Sequence, residues 1–91
     1  MYMREGMPKK FCKYLKKLMD KCQLTPYGLG QIAGVDPSHV YRIVHGEGRP
    51  SRSTMLAMAQ ALHEYSSVIT EKDMDHLIKY SGFPPPRRFP E

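Results

Sequence analysis

Five polar side chains, Ser38, His39, Tyr41, Arg42 and His45, stand close together in the run "DPSHVYRIVHGEG". A hydroxyl, a phenol, a guanidinium and two imidazoles form a set rich in hydrogen-bond donors and free of acid. Spacing limits what such a set can do. The two histidines are six positions apart, not the four that place two metal ligands on one helical face. The nearest gathering of acids is distant: Glu71, Asp73 and Asp75 crowd the first turn of a later helix, where they suit the positive end of its dipole. His63 and His76 read as surface residues. There is no glycine-rich phosphate loop, no nucleophile elbow and no paired carboxylate set. The chemistry expected is recognition of a hydrogen-bonding surface rather than catalysis, with no metal, no cofactor and no small-molecule ligand.

Those side chains need an element to present them. Asp36 is a natural N-cap and Pro37 suits the first helical position, so a short helix runs from residue 37 to about 45, where Gly46 stops it. Around it the helical period repeats. Pro8 opens a first helix whose stripe is Phe11, Leu15, Leu18, Met19 and Cys22, leaving Lys9, Lys10, Lys13, Lys16 and Lys17 to solvent. Thr25 caps a second helix with Pro26 at its first position; Leu29, Ile32 and Ala33 form its stripe and Gly34 ends it. Gly28 and Gly30 inside that helix cost on the order of 1 kcal/mol each relative to Ala, a cost that close approach of a neighbouring backbone would offset. Ser53 or Thr54 begins a fourth helix carrying Met55, Leu56, Met58, Ala59 and Leu62. Thr70 with Asp73 makes a capping-box start for a fifth, with the stripe Met74, Leu77 and Ile78 and Gly82 as its end. No strand pattern and no internal repeat is present. The expected fold is all-α, a compact bundle of five short helices spanning residues 8–82, between an arm at 1–7 and an extended, proline-rich tail at 83–91.

The totals agree with one small domain. Of 91 residues 41% are apolar and 25% charged, too rich in hydrophobics for wholesale disorder. No apolar run approaches the eighteen or so residues of a membrane span, and no signal-peptide core is visible, so a cytoplasmic location is expected. Cys12 and Cys22 lie on one helix, roughly 15 Å apart, and a disulfide needs less than about 7 Å. The net charge of +5 is uneven. Residues 1–52 hold ten Lys/Arg against four Asp/Glu, and residues 53–91 hold four against five. A basic half joined to a neutral half suggests a face that meets a polyanion.

On a wheel of about 100° per residue, Val40, Ile43 and Val44 gather on one side of the short helix. Ser38, Arg42 and His45 lie opposite, flanked by Tyr41 and His39. A solvated polar face would have the same make-up. What points further is its setting behind a capped helix, a three-residue turn and a basic helix. An α-helix fits the major groove of B-DNA, where Arg42 can pair with guanine O6 and N7, and Ser38, near the helix start, lies closest to base edges or a phosphate.

Residues 24–62, "LTPYGLGQIAGVDPSHVYRIVHGEGRPSRSTMLAMAQAL", resemble the helix-turn-helix of the lambda-repressor-like family, the Cro/C1 or xenobiotic-response-element type. The resemblance runs through Thr25, Leu29, Ala33, the Gly34-Val35 turn, Val40, Arg42, Ile43 and Gly46, then Pro50, Ser51, Thr54 and Leu62. Leu15, Leu18 and Leu24 match more loosely, and "DMDHLIKYSGF" is similar to the fifth helix of many members. The resemblance implies a homodimer that reads palindromic half-sites on double-stranded DNA about one turn apart. By position it makes Pro37, Ser38 and Arg42, with His39 and Tyr41, the base-reading candidates. Thr25, His45, Arg49 and Arg52 become the phosphate candidates.

The departures are informative. Pro26 stands where members often carry a Gln that bonds a phosphate, and Pro37 also replaces a Gln. His45 replaces the usual Asn. A helix-one Arg and a recognition-helix Glu that members often pair appear here as Met19 and Val44, an exchange of ion pair for apolar packing that is often neutral or stabilising. The function expected is a sequence-specific transcriptional regulator of repressor type. The competing expectation is an antitoxin-like protein-interaction module or the DNA-tethering domain of a larger protein.

Overall fold

The computed structural model describes residues 7–83, and in them five α-helices and no strand. They are α1 (Lys9–Cys22), α2 (Pro26–Ala33), α3 (Pro37–Val44), α4 (Arg52–Tyr65) and α5 (Glu71–Ser81). Most of the expected tail and all but Met7 of the expected arm lie outside the described residues.

Local chemistry sets the boundaries. Thr25 Oγ1 accepts the Gly28 N–H at 3.0 Å to cap α2, and Asp36 Oδ1 accepts the Ser38 N–H at 3.0 Å to cap α3, each with proline at the first turn. Gly34 takes the left-handed conformation at φ 73°, which ends α2 within one residue and turns the chain into α3. The capping box of α5 is complete: Thr70 Oγ1 accepts the Asp73 N–H at 3.1 Å and Asp73 Oδ2 accepts the Thr70 N–H at 3.0 Å. α4 starts earlier than its sequence suggests. Ser51, not Ser53 or Thr54, is its N-cap and accepts the Thr54 N–H at 3.2 Å, so Arg52 becomes the first helical residue.

One core runs through all five helices. Phe11, Leu15, Leu18, Leu29, Val40, Ile43, Met55, Met58, Leu62, Ile69, Leu77 and Ile78 are buried in it. Met19 and Val44 are both buried there as apolar groups. Three adjustments to the expected packing appear. Ile32 is 42% exposed, because α2 turns Leu29 and Gly30 inward and leaves Ile32 on the outer edge of the stripe. Met7, assigned by sequence to the arm, is buried against the core. Phe83, at the start of the tail, packs half-buried against it as well. Cys12 and Cys22 are both free thiols.

Gly30 explains how α2 and α3 come so close. A Cβ placed on it would lie 2.6 Å from the Val35 carbonyl oxygen and 3.0 Å from Pro37 Cα, both backbone atoms that cannot swing away. Helix α3 has eight residues, too few to persist alone. It holds because Val40, Ile43 and Val44 are buried on the rest of the bundle, which leaves its opposite face outward.

Candidate nucleic-acid interface

The N-terminal ends of α2 and α3 open onto a shared surface groove of about 520 Å³ lined by Thr25, Pro26, Tyr27, Pro37, Ser38, Tyr41 and Arg42. No acidic side chain lines it. Both helices direct the positive ends of their dipoles there, so the groove suits a partner that offers acceptors or negative charge.

Five of the residues singled out from sequence therefore meet in one place: Thr25, Pro37, Ser38, Tyr41 and Arg42. Thr25 is exposed, and while its oxygen accepts the Gly28 N–H its hydroxyl proton remains able to donate outward. Pro37 is half-buried against Gly30 and forms part of the groove wall. Ser38 and Arg42 are exposed on the outward face of α3. Tyr41 is 53% exposed, and its ring leans on that of His45 with centroids 4.2 Å apart.

The other candidates are not among the residues that line this groove. His39 is half-buried beside Ser38 in sequence. His45 Nδ1 is 2.9 Å from the Tyr41 carbonyl oxygen. A carbonyl only accepts, so Nδ1 carries the proton, and Nε2 can then donate to a phosphate only from the doubly protonated ring. Arg49 follows α3 in the loop. Its Nη1 lies 3.6 Å from Met7 Sδ, and its guanidinium carbon sits 5.2 Å from the centre of the Phe83 ring. Arg49 is thus held by the two ends of the described chain while its side chain stays exposed. Arg52 is half-buried in the first turn of α4.

Sequence reasoning passed over Tyr27. It is 62% exposed, lines the groove, and its hydroxyl accepts from Gln31 Nε2 at 3.1 Å. The signal was available: Tyr27 and Gln31 are four apart and share the polar side of α2, next to the Thr25 cap.

Away from the groove, α1 and α5 meet through a polar cluster. The Tyr14 hydroxyl donates to Asp73 Oδ1 at 2.8 Å, and Lys21 Nζ is 3.9 Å from Asp73 Oδ2. Burial pushes the Asp73 carboxyl up, but the Thr70 N–H, the Tyr14 hydroxyl and the Lys21 ammonium outweigh it and hold the group below its ordinary value. Tyr14 is pushed up to about 12, first by burial and then by the neighbouring carboxylate. This cluster is structural: it ties α5 to α1. Burial also raises the Cys12 thiol, which donates to the Ile43 carbonyl at 3.3 Å. Among the described residues no group of three or more His, Cys, Asp or Glu is placed to hold a metal ion. No helix among them is long and apolar enough to cross a membrane.

Among the described residues, five helices with no strand, and a second short helix held by its apolar side after a glycine turn, define an all-α domain with a helix-turn-helix. A helix-turn-helix family model matches residues 15–67, more than half of the chain, and the protein belongs to that family in its lambda-repressor-like, Cro/C1-type form. Membership makes it a DNA-binding transcriptional regulator. Comparison with curated proteins and with solved structures gives no match.

Proposed function

We infer that the chain is a repressor-type regulator that binds a palindromic operator as a homodimer, with α3 in the major groove. The observation that carries this reading is the acid-free groove where Thr25, Ser38, Tyr41 and Arg42 converge. Arg42 is the principal base reader, its planar fork matched to guanine O6 and N7. Ser38, His39 and Tyr41 read neighbouring positions, and Pro37 and Tyr27 shape the approach. Thr25, His45, Arg49 and Arg52 engage phosphates and fix the register of the helix, a role that carries no sequence information itself. Two copies related by a dyad would place two α3 helices about one helical turn of DNA apart. Tyr65 and Val68, 51% and 49% exposed where α4 passes into α5, offer apolar area for the second copy.

Methylation interference tests the groove assignment. Methylating guanine N7 in a duplex that the chain binds should abolish binding at one guanine in each half-site, since it removes the acceptor Arg42 uses. Binding indifferent to N7 methylation at every guanine would refute major-groove reading by Arg42.

A further inference from the structure

Two exposed rings line the groove, and each is held by the side chain one helical turn further on. On α2, Gln31 Nε2 donates to the Tyr27 hydroxyl at 3.1 Å. On α3, the Tyr41 ring lies against that of His45, with centroids 4.2 Å apart. His45 is fixed in turn, because its Nδ1 is 2.9 Å from the Tyr41 carbonyl oxygen. Pro26 and Pro37, both half-buried, line the groove beside these rings. Proline has no N–H and no polar side-chain atom, so much of the lining is ring carbon. The polar remainder is the hydroxyls of Thr25 and Ser38 and the guanidinium of Arg42.

Rings that are already held lose little freedom when a ligand settles between them. Of the groups that each base pair shows in the major groove, the one that is apolar is the 5-methyl of thymine. Ser38 and Arg42 are four positions apart, about 6 Å along α3, so the edges they face are about one or two base pairs apart. The Ser38 N–H is taken by Asp36 Oδ1, and its hydroxyl is a donor for thymine O4. Cytosine methylated at the same carbon fits less well. Its amine calls for an acid, and none lines the groove.

We propose that the groove reads a thymine beside the guanine taken by Arg42, with the thymine 5-methyl seated against the Tyr27 and Tyr41 rings and the two prolines. Gln31 is a positioning residue that holds the Tyr27 ring for this contact. The inference rests on the major-groove reading above. It gives Tyr27, on α2, a share in base choice that otherwise belongs to α3.

The test uses the full chain and a duplex that it enriches from a random pool. Each thymine is replaced singly by uracil, which keeps the pairing and O4 and removes only the methyl. At one thymine per half-site, beside the guanine whose N7 methylation abolishes binding, the replacement should weaken binding about fourfold, the worth of one buried methyl group. A 5-methylcytosine–guanine pair at the same place should bind more weakly than thymine–adenine. The variant Y27A/Y41A should bind the thymine and uracil duplexes alike, and Gln31→Ala should narrow their difference. Guanine dependence without any sensitive thymine overturns the inference and leaves the major-groove reading standing. A full thymine–uracil difference in Y27A/Y41A overturns it as well, since the methyl then sits elsewhere. Equal binding of 5-methylcytosine overturns the assignment to thymine, and wild-type discrimination in Gln31→Ala overturns its positioning role. If the chain enriches no duplex, or ignores N7 methylation at every guanine, the major-groove reading fails first and takes this inference with it.

Discussion

Arg42 projects from the outward face of α3, exposed and beside the N-terminal ends of two helices. Its replacement by Ala should cost roughly 1–3 kcal/mol of operator affinity and relax preference at one base pair per half-site. Competition with duplexes varied at single positions would show this. Equal losses at every position would instead make Arg42 a phosphate contact. Arg49 illustrates what a sequence alone withholds. Its place in the loop suggested a phosphate contact, but nothing in the local pattern could reveal that Met7 and Phe83, 42 residues before it and 34 after it, come to rest on its side chain. Arg49→Ala should therefore weaken binding to all duplexes by a similar factor, flatten the salt dependence by about 0.9 per chain, and in addition lower the melting temperature. A variant with unchanged melting would mean that the Met7–Arg49–Phe83 contact contributes nothing to stability.

Among the elements, α2 and α3 were the most legible, because every boundary carries its own local chemistry: Thr25-Pro26 and Asp36-Pro37 at the starts, Gly34 between them. The capping box of α5 was equally plain. The start of α4 was not, since Ser51, Ser53 and Thr54 are all competent caps, and it is Ser51 that accepts the Thr54 N–H. Ile32 was misplaced because a wheel ranks faces by hydrophobicity and cannot say where the neighbouring helix lies. That neighbour comes in over Gly30, which a Cβ-bearing residue would block. The two glycines of α2 give a paired test. Gly30→Ala drives a Cβ to 2.6 Å from the Val35 carbonyl oxygen, and the backbone shift should cost roughly 1–3 kcal/mol despite the better helix propensity of Ala. Gly28→Ala meets only the end of the Leu24 side chain at 3.0 Å and the Thr25 hydroxyl at 3.5 Å, which can yield, so it should be neutral or stabilising by up to about 1 kcal/mol. Thermal melts of the two variants compare them directly. Equal effects would mean that the α2–α3 approach is not tight.

At the scale of the whole molecule, the bundle divides its work. α1, α4 and α5 form the support, and the Tyr14–Asp73–Lys21 cluster ties its two ends of sequence together. The Asp73 carboxyl is held below its ordinary value, so the stability it contributes is present above the unfolded carboxylate range and disappears as pH falls through the folded value. Asp73→Asn should be less stable than wild type at neutral pH and lose less on acidification below about pH 4, read from melting temperature against pH. Parallel curves for the two proteins would remove Asp73 from the acid response. The uneven charge of the chain, visible in sequence, places its surplus on the half that contains α1, α2 and α3. The expectation of a homodimer came only from the family resemblance, because a second copy writes no period into the sequence. The measurement that bears most directly on the account is selection of bound duplexes from a random pool at moderate salt, followed by sequencing. The account predicts an enriched inverted repeat with half-site centres about ten base pairs apart and a guanine in each half. A pool that stays random, with binding that merely falls steeply as salt rises, would contradict it and mean that the basic face grips phosphate without reading sequence.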